Sequence, residues 1–432
     1  MRLPLRLPAR WQETILLIVA LAFLLAAFVA LSIAPAARLA DWSAGRVRAG
    51  YIISVGAWAV AAVVGQAALA RRLPKHDPLL FPLVLFLSGW GLVLIWRLAP
   101  AFGLRQTVWL VVGMAAMLAV VYAPGDLRWL RRYRYLWLVG ALGLTALTLL
   151  FGVNPSGGGA ALWLGGGGVY FQPSEALKLL FVVFVAAYLA DQRDAPAMAA
   201  SPLRRRLTFL APLLLVWAFS LILLVSQRDL GTGSLVFATF IAMLYLATGL
   251  KRYVLTGGVL LALGAAATYF LFRFEVVRLR IDAWIDPFAD PSGRSFQIVQ
   301  SLISVANGGL FGQGLGIGAP TVIPVVHSDF VFAAIVEEWG LIGGLAAIML
   351  VATFVLRGLR VASLARGTFR RLLAGGLSAL VGVQALLIIG GVIKVLPLTG
   401  VTLPFLSYGG SSLLAHFIIV GLLLKLSDDA NS

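Results

Sequence analysis

A polar, turn-rich stretch, Trp284-Ile-Asp-Pro-Phe-Ala-Asp-Pro-Ser-Gly-Arg-Ser-Phe-Gln297, interrupts a sequence that otherwise consists almost entirely of apolar segments. Its two Asp-Pro pairs and its glycine predict turns, because proline fixes φ and cannot donate a backbone hydrogen bond. Arginines precede and follow its carboxylates. One interpretation is a solvated loop. The other is a site where a carboxylate handles protons beside guanidinium groups that hold phosphate.

The composition around this stretch is that of a polytopic membrane protein. Of the 432 residues, 61% are hydrophobic and 12% are charged, which is about half the charged fraction of a soluble domain. The mean hydropathy is +0.98. The absence of cysteine excludes disulfides and thiolate metal sites, and the three histidines are too widely spaced to favour a metal site. We expect no cleavable signal peptide, since the first apolar run has the length of a membrane span.

Twelve apolar segments are long enough to cross a bilayer as helices of about 20 residues. They lie near residues 13–33, 51–70, 79–97, 105–123, 134–152, 174–190, 208–225, 231–250, 253–272, 329–356, 372–395 and 404–426. Most Lys and Arg residues fall between alternate segments, so the positive-inside rule predicts that both termini are cytoplasmic. We therefore expect an all-α polytopic membrane protein in which residues 273–328 form a large extracytoplasmic loop.

The net charge of +17 would also suit a nucleic-acid-binding protein. However, the basic residues lie between the spans, where they act as topology signals and contact anionic membrane lipids. The aromatic and basic run from Arg128 to Arg134 is accordingly interpreted as an interfacial anchor, and nucleic acid is not an expected partner. Arg38, Arg46 and Arg48 run against the trend, because they fall outside in the predicted orientation.

Several polar residues are unusual for a membrane protein. Glu175 and Lys178 share one predicted helix face behind Ser174, a candidate N-cap, and form either a structural ion pair or part of a site. The short turn after the seventh segment carries Arg228 and Asp229, which would also suit a purely structural turn.

The second half of the chain adds further unusual features. Residues 295–307 have the pattern of an amphipathic helix that lies flat on the membrane, and six glycines follow in 308–318. The tenth segment begins around His327 and Asp329 and carries Glu337 and Glu338. The eleventh ends at Lys394, and a Gly/Ser/Pro-rich connection containing Ser407 leads into the twelfth. All these features fall on the predicted outer side, which indicates a single site open to the outside.

Six ordered motifs give the chain a specific resemblance to a known family. They are Trp163-Leu…Phe171-Gln-Pro-Ser-Glu-Ala-Leu-Lys178, Gln227-Arg-Asp-Leu-Gly231, Asp286-Pro-Phe-Ala-Asp-Pro-Ser-Gly-Arg-Ser-Phe-Gln297, Gly312-Gln-Gly-Leu-Gly316, His327-Ser-Asp-Phe-Val-Phe332 with Glu337-Glu-Trp-Gly340, and Leu403-Pro-Phe-Leu-Ser-Tyr-Gly-Gly-Ser-Ser412. On these motifs, which cover roughly residues 80–427, the chain resembles the SEDS family (shape, elongation, division and sporulation proteins, RodA/FtsW-like), and its pattern is closer to RodA.

The resemblance implies a ten-helix core with peptidoglycan glycosyltransferase activity on lipid II and a class B penicillin-binding protein as partner. It implies that residues 79–427 form this core, with 273–328 as its large loop. Two extra transmembrane helices in 1–78 precede it and a cytoplasmic tail, 428–432, follows it. The protein would serve cell elongation and shape, or division. Where the family pattern has Pro and Gly, this chain has Arg228 and Lys394.

The resemblance also implies roles for individual residues. Asp290 corresponds to the family's proposed catalytic aspartate, because Pro291 and Gly293 follow it, and it would act as general base. Lys178, Arg228 and Lys394 are candidates for charge on the departing pyrophosphate, with Arg294 a weaker one. The expected substrate-binding residues are Glu175, Lys178, Arg228, Asp229, Gln297, His327, Asp329, Glu338, Lys394 and Ser407. No cofactor is certain, and a divalent cation held by Asp or Glu is left open.

Two other classes of function remain as alternatives. A flippase or transporter for lipid-linked sugars fits twelve helices with buried charges, but a transporter is expected to have repeated halves with polar breaks near the midplane. No internal repeat is evident, and the polar residues cluster on one predicted side. A scaffold that only recruits partners leaves the carboxylate-rich loop unexplained.

Overall fold

The computed structural model describes residues 9–124, 127–155, 160–191, 203–270 and 275–431. The long helices are α1 (Ala9–Leu39), α2 (Ala49–Arg72), α3 (Leu80–Leu98), α4 (Gly103–Tyr122), α6 (Arg134–Phe151), α7 (Pro173–Asp191), α8 (Leu203–Ser226), α9 (Leu230–Thr248), α10 (Lys251–Phe270), α14 (Val331–Leu364), α15 (Thr368–Val392) and α16 (Gly410–Asn431). The shorter helices are α5 (Arg128–Arg132), α11 (Glu275–Ile285), α12 (Phe296–Gly308) and α13 (Val326–Asp329). Strands β1 (Leu164–Gly166) and β2 (Val169–Phe171) form an antiparallel hairpin in which Leu164 lies opposite Phe171.

The lengths and compositions of these helices confirm the predicted all-α polytopic class. Within the described residues, eleven helices are long and apolar enough to cross a membrane, and α8 adds the apolar segment Leu210–Ser226. The amphipathic helix expected at 295–307 is α12. Residues 156–159 and residues 273–274, at the start of the predicted large loop, lie outside the described residues, as do 1–8 and 432.

Several predicted helix boundaries were wrong. Ser174 is not an N-cap, because α7 already begins at Pro173, a residue suited to the first helical position. The tenth span begins at Val331, after the separate turn α13, and loses helical geometry at Gly340. The eleventh ends at Val392, before Lys394. The twelfth begins only at Gly410, because the preceding connection holds Phe405 at φ +65°.

The chain forms two compact units. The first comprises Met1–Ala123, Gln300–Gly358 and Leu403–Ser432, and the second comprises Pro124–Val299 and Leu359–Thr402. In the first unit, α16 packs along α4 and α1 packs along α3. In the second, α7 is the central helix and contacts α6, α9 and α15. Helices α3, α7 and α16 are mostly buried, because neighbours cover them on most sides.

Within the first unit, buried polar contacts join α2 to α3 and α4. The Trp58 indole donates to the Leu85 carbonyl at 2.8 Å. The hydroxyl of Ser54 lies 2.7 Å from that of Thr107 and accepts from the Trp96 indole at 2.8 Å. Polar contacts of this kind fix the register between helices, so α2 is part of the packed unit, and α1 joins it by packing along α3.

Candidate active site

The loop around Asp290 is shaped by its own aspartates. Asp286 accepts a hydrogen bond from the Phe288 backbone N–H at 3.2 Å and starts a short 3₁₀ turn, Pro287–Ala289. Asp290 ends that turn and accepts from the Arg294 backbone N–H at 3.0 Å. A Cβ atom at Gly293 would lie 2.5 Å from both Asp290 carboxylate oxygens. The carboxylate can therefore take this position only because residue 293 has no side chain.

Asp290 itself is exposed and only lightly held. Its side chain is in the exposed class, and it forms no ion pair with any residue in the described ranges. Two arginines that precede Asp290 in the sequence contact other groups: Arg278 lies over the Tyr269 ring at 5.7 Å, and Arg280 donates to the Thr399 carbonyl at 3.1 Å. The interpretation that guanidinium groups beside this carboxylate hold phosphate stays a prediction.

In the second unit, residues 394–399, which follow α15, contact two helices that adjoin predicted site residues. Trp284, at the end of α11, donates its indole N–H to the Lys394 carbonyl at 3.2 Å, and Arg280 of the same helix reaches Thr399. A side chain at Gly231, in the first turn of α9, would overlap the Thr399 carbonyl. The helix that leads to Asp290 and the helix that follows Arg228 and Asp229 are therefore both packed against this connection.

A buried polar cluster lies at the start of α7. The ammonium of Lys178 is 2.8 Å from the carboxylate of Glu175 and donates to Gln384 Oε1 at 3.4 Å. Gln384 in turn donates to the Thr402 carbonyl at 2.8 Å. Both charged side chains are less than a tenth exposed, so the pair neutralises charges that could not be buried alone. The predicted ion pair is present, with Gln384 as a third member.

The turn between α8 and α9 is fixed by Asp229. Its carboxylate accepts from the Thr232 backbone N–H at 3.1 Å as the N-cap of α9, and also from the Ser174 hydroxyl at 3.3 Å. Before it, Gln227 donates to the Thr145 carbonyl at 2.6 Å. These bonds hold the turn rigidly and tie it to the first turn of α7.

Arg228 and Lys394, the two departures from the family pattern, both have left-handed backbones, with φ values of +62° and +61°. Glycine adopts this conformation at little cost, which explains why a glycine suits position 394. Proline cannot adopt it, so the turn of this chain at position 228 differs from one built on proline. The side chain of Arg228 is exposed and that of Lys394 is half-buried, and neither forms an ion pair within the described residues.

In the first unit, His327, Asp329 and Ser407 are linked through Ser328. The Ser407 hydroxyl donates to the Ser328 carbonyl at 2.6 Å, and the Ser328 hydroxyl donates to Asp329 at 2.6 Å. The His327 ring lies 5.2 Å from the ring of Phe102. Burial lowers the pKa of His327 below its ordinary value, so the imidazole is neutral at pH 7.

Glu337 and Glu338 hold residues 308–318, the glycine-rich segment, against α14. The Glu338 carboxylate accepts from the Arg97 guanidinium at 2.7 Å, and Glu337 accepts from the Ala319 backbone N–H at 2.7 Å. The carbonyl of Glu338 also accepts from Gly314 at 3.0 Å. At Gly340, α14 has φ +70° and ψ −172°, a conformation essentially restricted to glycine. The two carboxylates therefore hold Arg97 and the backbone of Ala319, and the substrate-binding role expected of Glu338 stays a prediction.

The predicted site residues fall in both units. Glu175, Lys178, Arg228, Asp229, Asp290, Gln297 and Lys394 belong to the second, and His327, Asp329, Glu338 and Ser407 belong to the first. Gln297 is half-buried in the first turn of α12. Within the described residues, no group of three or more His, Asp or Glu side chains could hold a metal ion.

Sequence reasoning missed two polar partners, Arg97 and Gln384. Each is a single polar residue at the end of, or within, an apolar segment. That isolation is the signal that could have identified them, because a lone polar residue in a span usually has a buried partner.

Known proteins match this chain over most of its length. The family model for FtsW, RodA and SpoVE, described as "Cell cycle protein", matches residues 78–432. The peptidoglycan glycosyltransferase RodA of Mycobacterium tuberculosis is 41% identical over 379 residues, which cover 84% of this chain and 80% of that protein. A probable peptidoglycan glycosyltransferase FtsW of Geobacter metallireducens is 34% identical over 371 residues, covering 83% of this chain and 96% of that protein.

Solved structures agree with the sequence comparisons. A chain from "Structural coordination of polymerization and crosslinking by a peptidoglycan synthase complex" superposes with a TM-score of 0.68 at 29% identity and covers 82% of this chain and 98% of that one. The rod shape determining protein RodA of Thermus thermophilus gives a TM-score of 0.60 at 25% identity, with 82% and 97% covered. The chain therefore belongs to the FtsW/RodA/SpoVE family, and it is more similar to the M. tuberculosis RodA than to the G. metallireducens FtsW.

Proposed function

We propose that this membrane-embedded peptidoglycan glycosyltransferase polymerises lipid II, with Asp290 as the general base. In the proposed reaction, the 4-hydroxyl of the acceptor GlcNAc attacks the anomeric carbon of the lipid-linked glycan chain. Asp290 takes the hydroxyl proton as the new carbon–oxygen bond forms, and the bond to undecaprenyl pyrophosphate breaks. The names of the relatives favour this activity over a flippase.

The observation that carries the assignment is the state of the Asp290 carboxylate, taken together with the Asp290-Pro-Ser-Gly293 motif that distinguishes it from Asp286. A general base must reach the proton that it removes and must be free to accept it. Asp290 is exposed, has one backbone donor, and forms no ion pair within the described part of the chain. By contrast, the Asp229 carboxylate is engaged as a helix cap, and that of Glu175 is paired with an ammonium.

The leaving pyrophosphate needs positive charge, which Arg228 and Lys394 can supply. Both side chains are without an acidic partner in the described ranges. Guanidinium binds phosphate oxygens bidentately, and ammonium acts as a point charge. Lys178 is less suited to direct contact, because Glu175 and Gln384 already satisfy it. We assign Glu175, Lys178 and Gln384 to holding α7 and the 394–402 connection in register.

The experiment compares Asp290→Asn with Asp286→Asn in polymerisation of purified lipid II by the purified protein. The two aspartates form a matched pair, since each is exposed and each accepts one backbone N–H. We expect Asp290→Asn to lose about 10²- to 10⁴-fold in rate and Asp286→Asn to lose much less. Near-normal polymerisation by folded Asp290→Asn protein would refute the assignment. Lipid translocation by a protein that never polymerises would favour the flippase.

We further propose that the protein works with a class B penicillin-binding protein. The solved complex to which it is similar coordinates polymerization with crosslinking, and a polymerase of this kind gains from a partner that cross-links its product. The same assay run with and without the partner tests this. We expect the partner to accelerate the parent protein and to leave Asp290→Asn inactive.

The orientation in the cytoplasmic membrane is likewise a proposal. The excess of Lys and Arg between alternate spans supports cytoplasmic termini and an extracytoplasmic 273–328 segment. Thr321 and Ser363 are both exposed and fall on opposite sides in this orientation. An impermeant thiol reagent added to intact cells is expected to label Thr321→Cys and not Ser363→Cys. The reverse pattern would invert the topology.

The domain boundaries are also proposed. The family model matches residues 78–432, which supports the proposed start of the core at 79, after two additional helices in 1–78. The end of the core at 427, before a tail of 428–432, stays a prediction.

A further inference from the structure

The two N-terminal helices build a cavity that the proposed activity does not use. It has a volume of about 620 Å³ and lies where the end of α1, the start of α2 and the end of α3 meet the glycine-rich segment at Gly316. A cavity of this size is in the range of specific small-ligand sites. All of its lining residues belong to the first unit.

Four arginines line this cavity: Arg38, Arg46, Arg48 and Arg97. Among the described residues that line it, none is acidic. Of these four, Arg97 alone has an acidic partner among the described residues, Glu338 at 2.7 Å. Arg38 binds the carbonyls of Ile317, at 2.7 Å, and Gly318, which satisfy its hydrogen bonds without cancelling its charge.

Arg46 and Arg48 are exposed at the cavity, and their side chains have neither an ion pair nor a hydrogen bond within the described residues. Asp41, in the same connection, already accepts from the backbone N–H of Ser43 at 2.9 Å. These arginines thus concentrate positive charge without a protein counter-ion. They are also the residues that oppose the charge asymmetry of the proposed topology, which indicates a role other than setting the orientation.

The remainder of the lining is apolar and aromatic, including Leu31, Val47, Tyr51 and Trp96. Tyr and Trp favour the boundary between lipid tails and headgroups. The cavity lies at the ends of three helices of membrane-spanning length, α1, α2 and α3. It therefore offers a cationic surface and an apolar surface at the depth where lipid headgroups lie.

We propose that this cavity binds the phosphate headgroup of an anionic membrane lipid, with Arg38, Arg46 and Arg48 contacting the phosphate. Guanidinium groups pair with phosphate oxygens, and basic pockets between transmembrane helices suit anionic headgroups. A free phosphate would use the arginines but not the apolar wall. The bound lipid would lie beside the carbonyls that Arg38 and Arg97 hold, and would stabilise the glycine-rich segment.

The test measures phosphatidylglycerol bound to the full-length, detergent-solubilised protein by native mass spectrometry, with phosphatidylcholine as the zwitterionic comparison. The variant is Arg46→Gln/Arg48→Gln. Its matched control is Arg71→Gln/Arg72→Gln, which removes the same charge from exposed residues at the other end of α2. We expect the first variant to weaken phosphatidylglycerol binding at least about tenfold and the control to bind like the parent.

Three results would overturn the proposal. In the first, the parent protein and Arg46→Gln/Arg48→Gln bind phosphatidylglycerol equally well. In the second, the parent protein binds phosphatidylglycerol and phosphatidylcholine equally well. In the third, inorganic phosphate displaces phosphatidylglycerol at comparable concentration. The last would assign the cavity to a soluble anion.

A salt series on the unmutated protein gives a check that does not depend on folding of a variant. Binding through guanidinium groups weakens with ionic strength, and salt-independent binding would contradict the assignment. Because the readout is lipid binding, it is independent of polymerisation.

Discussion

Two turn-rich segments flank α12 in the sequence, and they are built in opposite ways. In the segment before it, residues 286–295, the backbone turns on aspartate caps, and the Asp290 carboxylate is left exposed with one donor. In the segment after it, residues 309–319, the backbone is hydrogen-bonded to the Glu337 and Glu338 region of α14. Both are rich in glycine or proline, so composition alone does not separate them.

The difference shows that glycines and acidic residues have different roles in the two segments. Gly293 makes room for a carboxylate, whereas Gly340 makes room for the carbonyl of Leu310 within a helix that would otherwise run on. Likewise, Asp290 is kept accessible, while Glu338 is buried against Arg97. We infer that the first segment carries chemistry and the second carries structure, and this division can be tested residue by residue.

The largest expected effect is on stability, from Gly340→Ala. The φ of +70° with ψ of −172° is outside the range of alanine, and a Cβ would overlap the Leu310 carbonyl. We expect a loss of about 3 kcal/mol or more in the free energy of unfolding, or failure to fold. Thermal melting of the purified protein in detergent measures it.

The control is Gly258→Ala in α10. A Cβ there would have no neighbour within 4 Å, and its backbone is helical. Its stability is expected to match the parent or exceed it by up to about 1 kcal/mol. If Gly340→Ala melted like Gly258→Ala, the second segment would not be structural in the sense proposed.

The next effect is on activity, from Gly293→Ala. The new Cβ would displace the Asp290 carboxylate, a flexible group, so the fold is expected to tolerate the change. Misplacing a catalytic group by about 1 Å costs about 10²-fold in rate, and we expect a loss of that order in lipid II polymerisation with a nearly unchanged melting temperature. Ser292→Ala, at the exposed neighbouring position, is the control and is expected to remain active. Parent-like activity in Gly293→Ala would show that the carboxylate need not occupy its present position.

The sequence was sufficient to predict the spans, because about 20 apolar residues in succession have few other uses. It also placed Glu175 and Lys178 on one helix face, since they are three residues apart, and an ion pair between them was one of the two interpretations. It could not show that Arg280 and Trp284 turn toward Thr399 and Lys394, because such contacts depend on tertiary packing between distant segments. For the same reason it did not reveal that Arg97 neutralises Glu338, 241 residues away.

The smallest expected effect is a pH dependence of stability, and it separates two histidines of the first unit. His327 follows the glycine-rich segment, and burial lowers its pKa. The unfolded chain then binds a proton more readily than the folded protein, so stability is lost as the pH falls below the unfolded value of about 6.5. For His76, burial acts to lower the pKa, but the carboxylate of Glu13, 3.5 Å away, the Leu73 carbonyl and the charge of Asp428 together outweigh it, and the pKa is raised. Its stabilising contribution is present below pH of about 6.5 and is lost as the pH rises through the folded value.

The two histidines are therefore expected to change stability with pH in opposite directions. Melting curves of His327→Gln and His76→Gln across pH 5 to 9 can separate the two contributions. We expect His327→Gln to flatten the acidic side of the profile, because the residue that resists protonation is gone. We expect His76→Gln to flatten the neutral-to-alkaline side, because the ion pair that deprotonation breaks is gone. If His327→Gln left the acidic side unchanged, the buried imidazole would not be a source of the pH response. Its place beside Phe102 would then be a matter of ring packing alone.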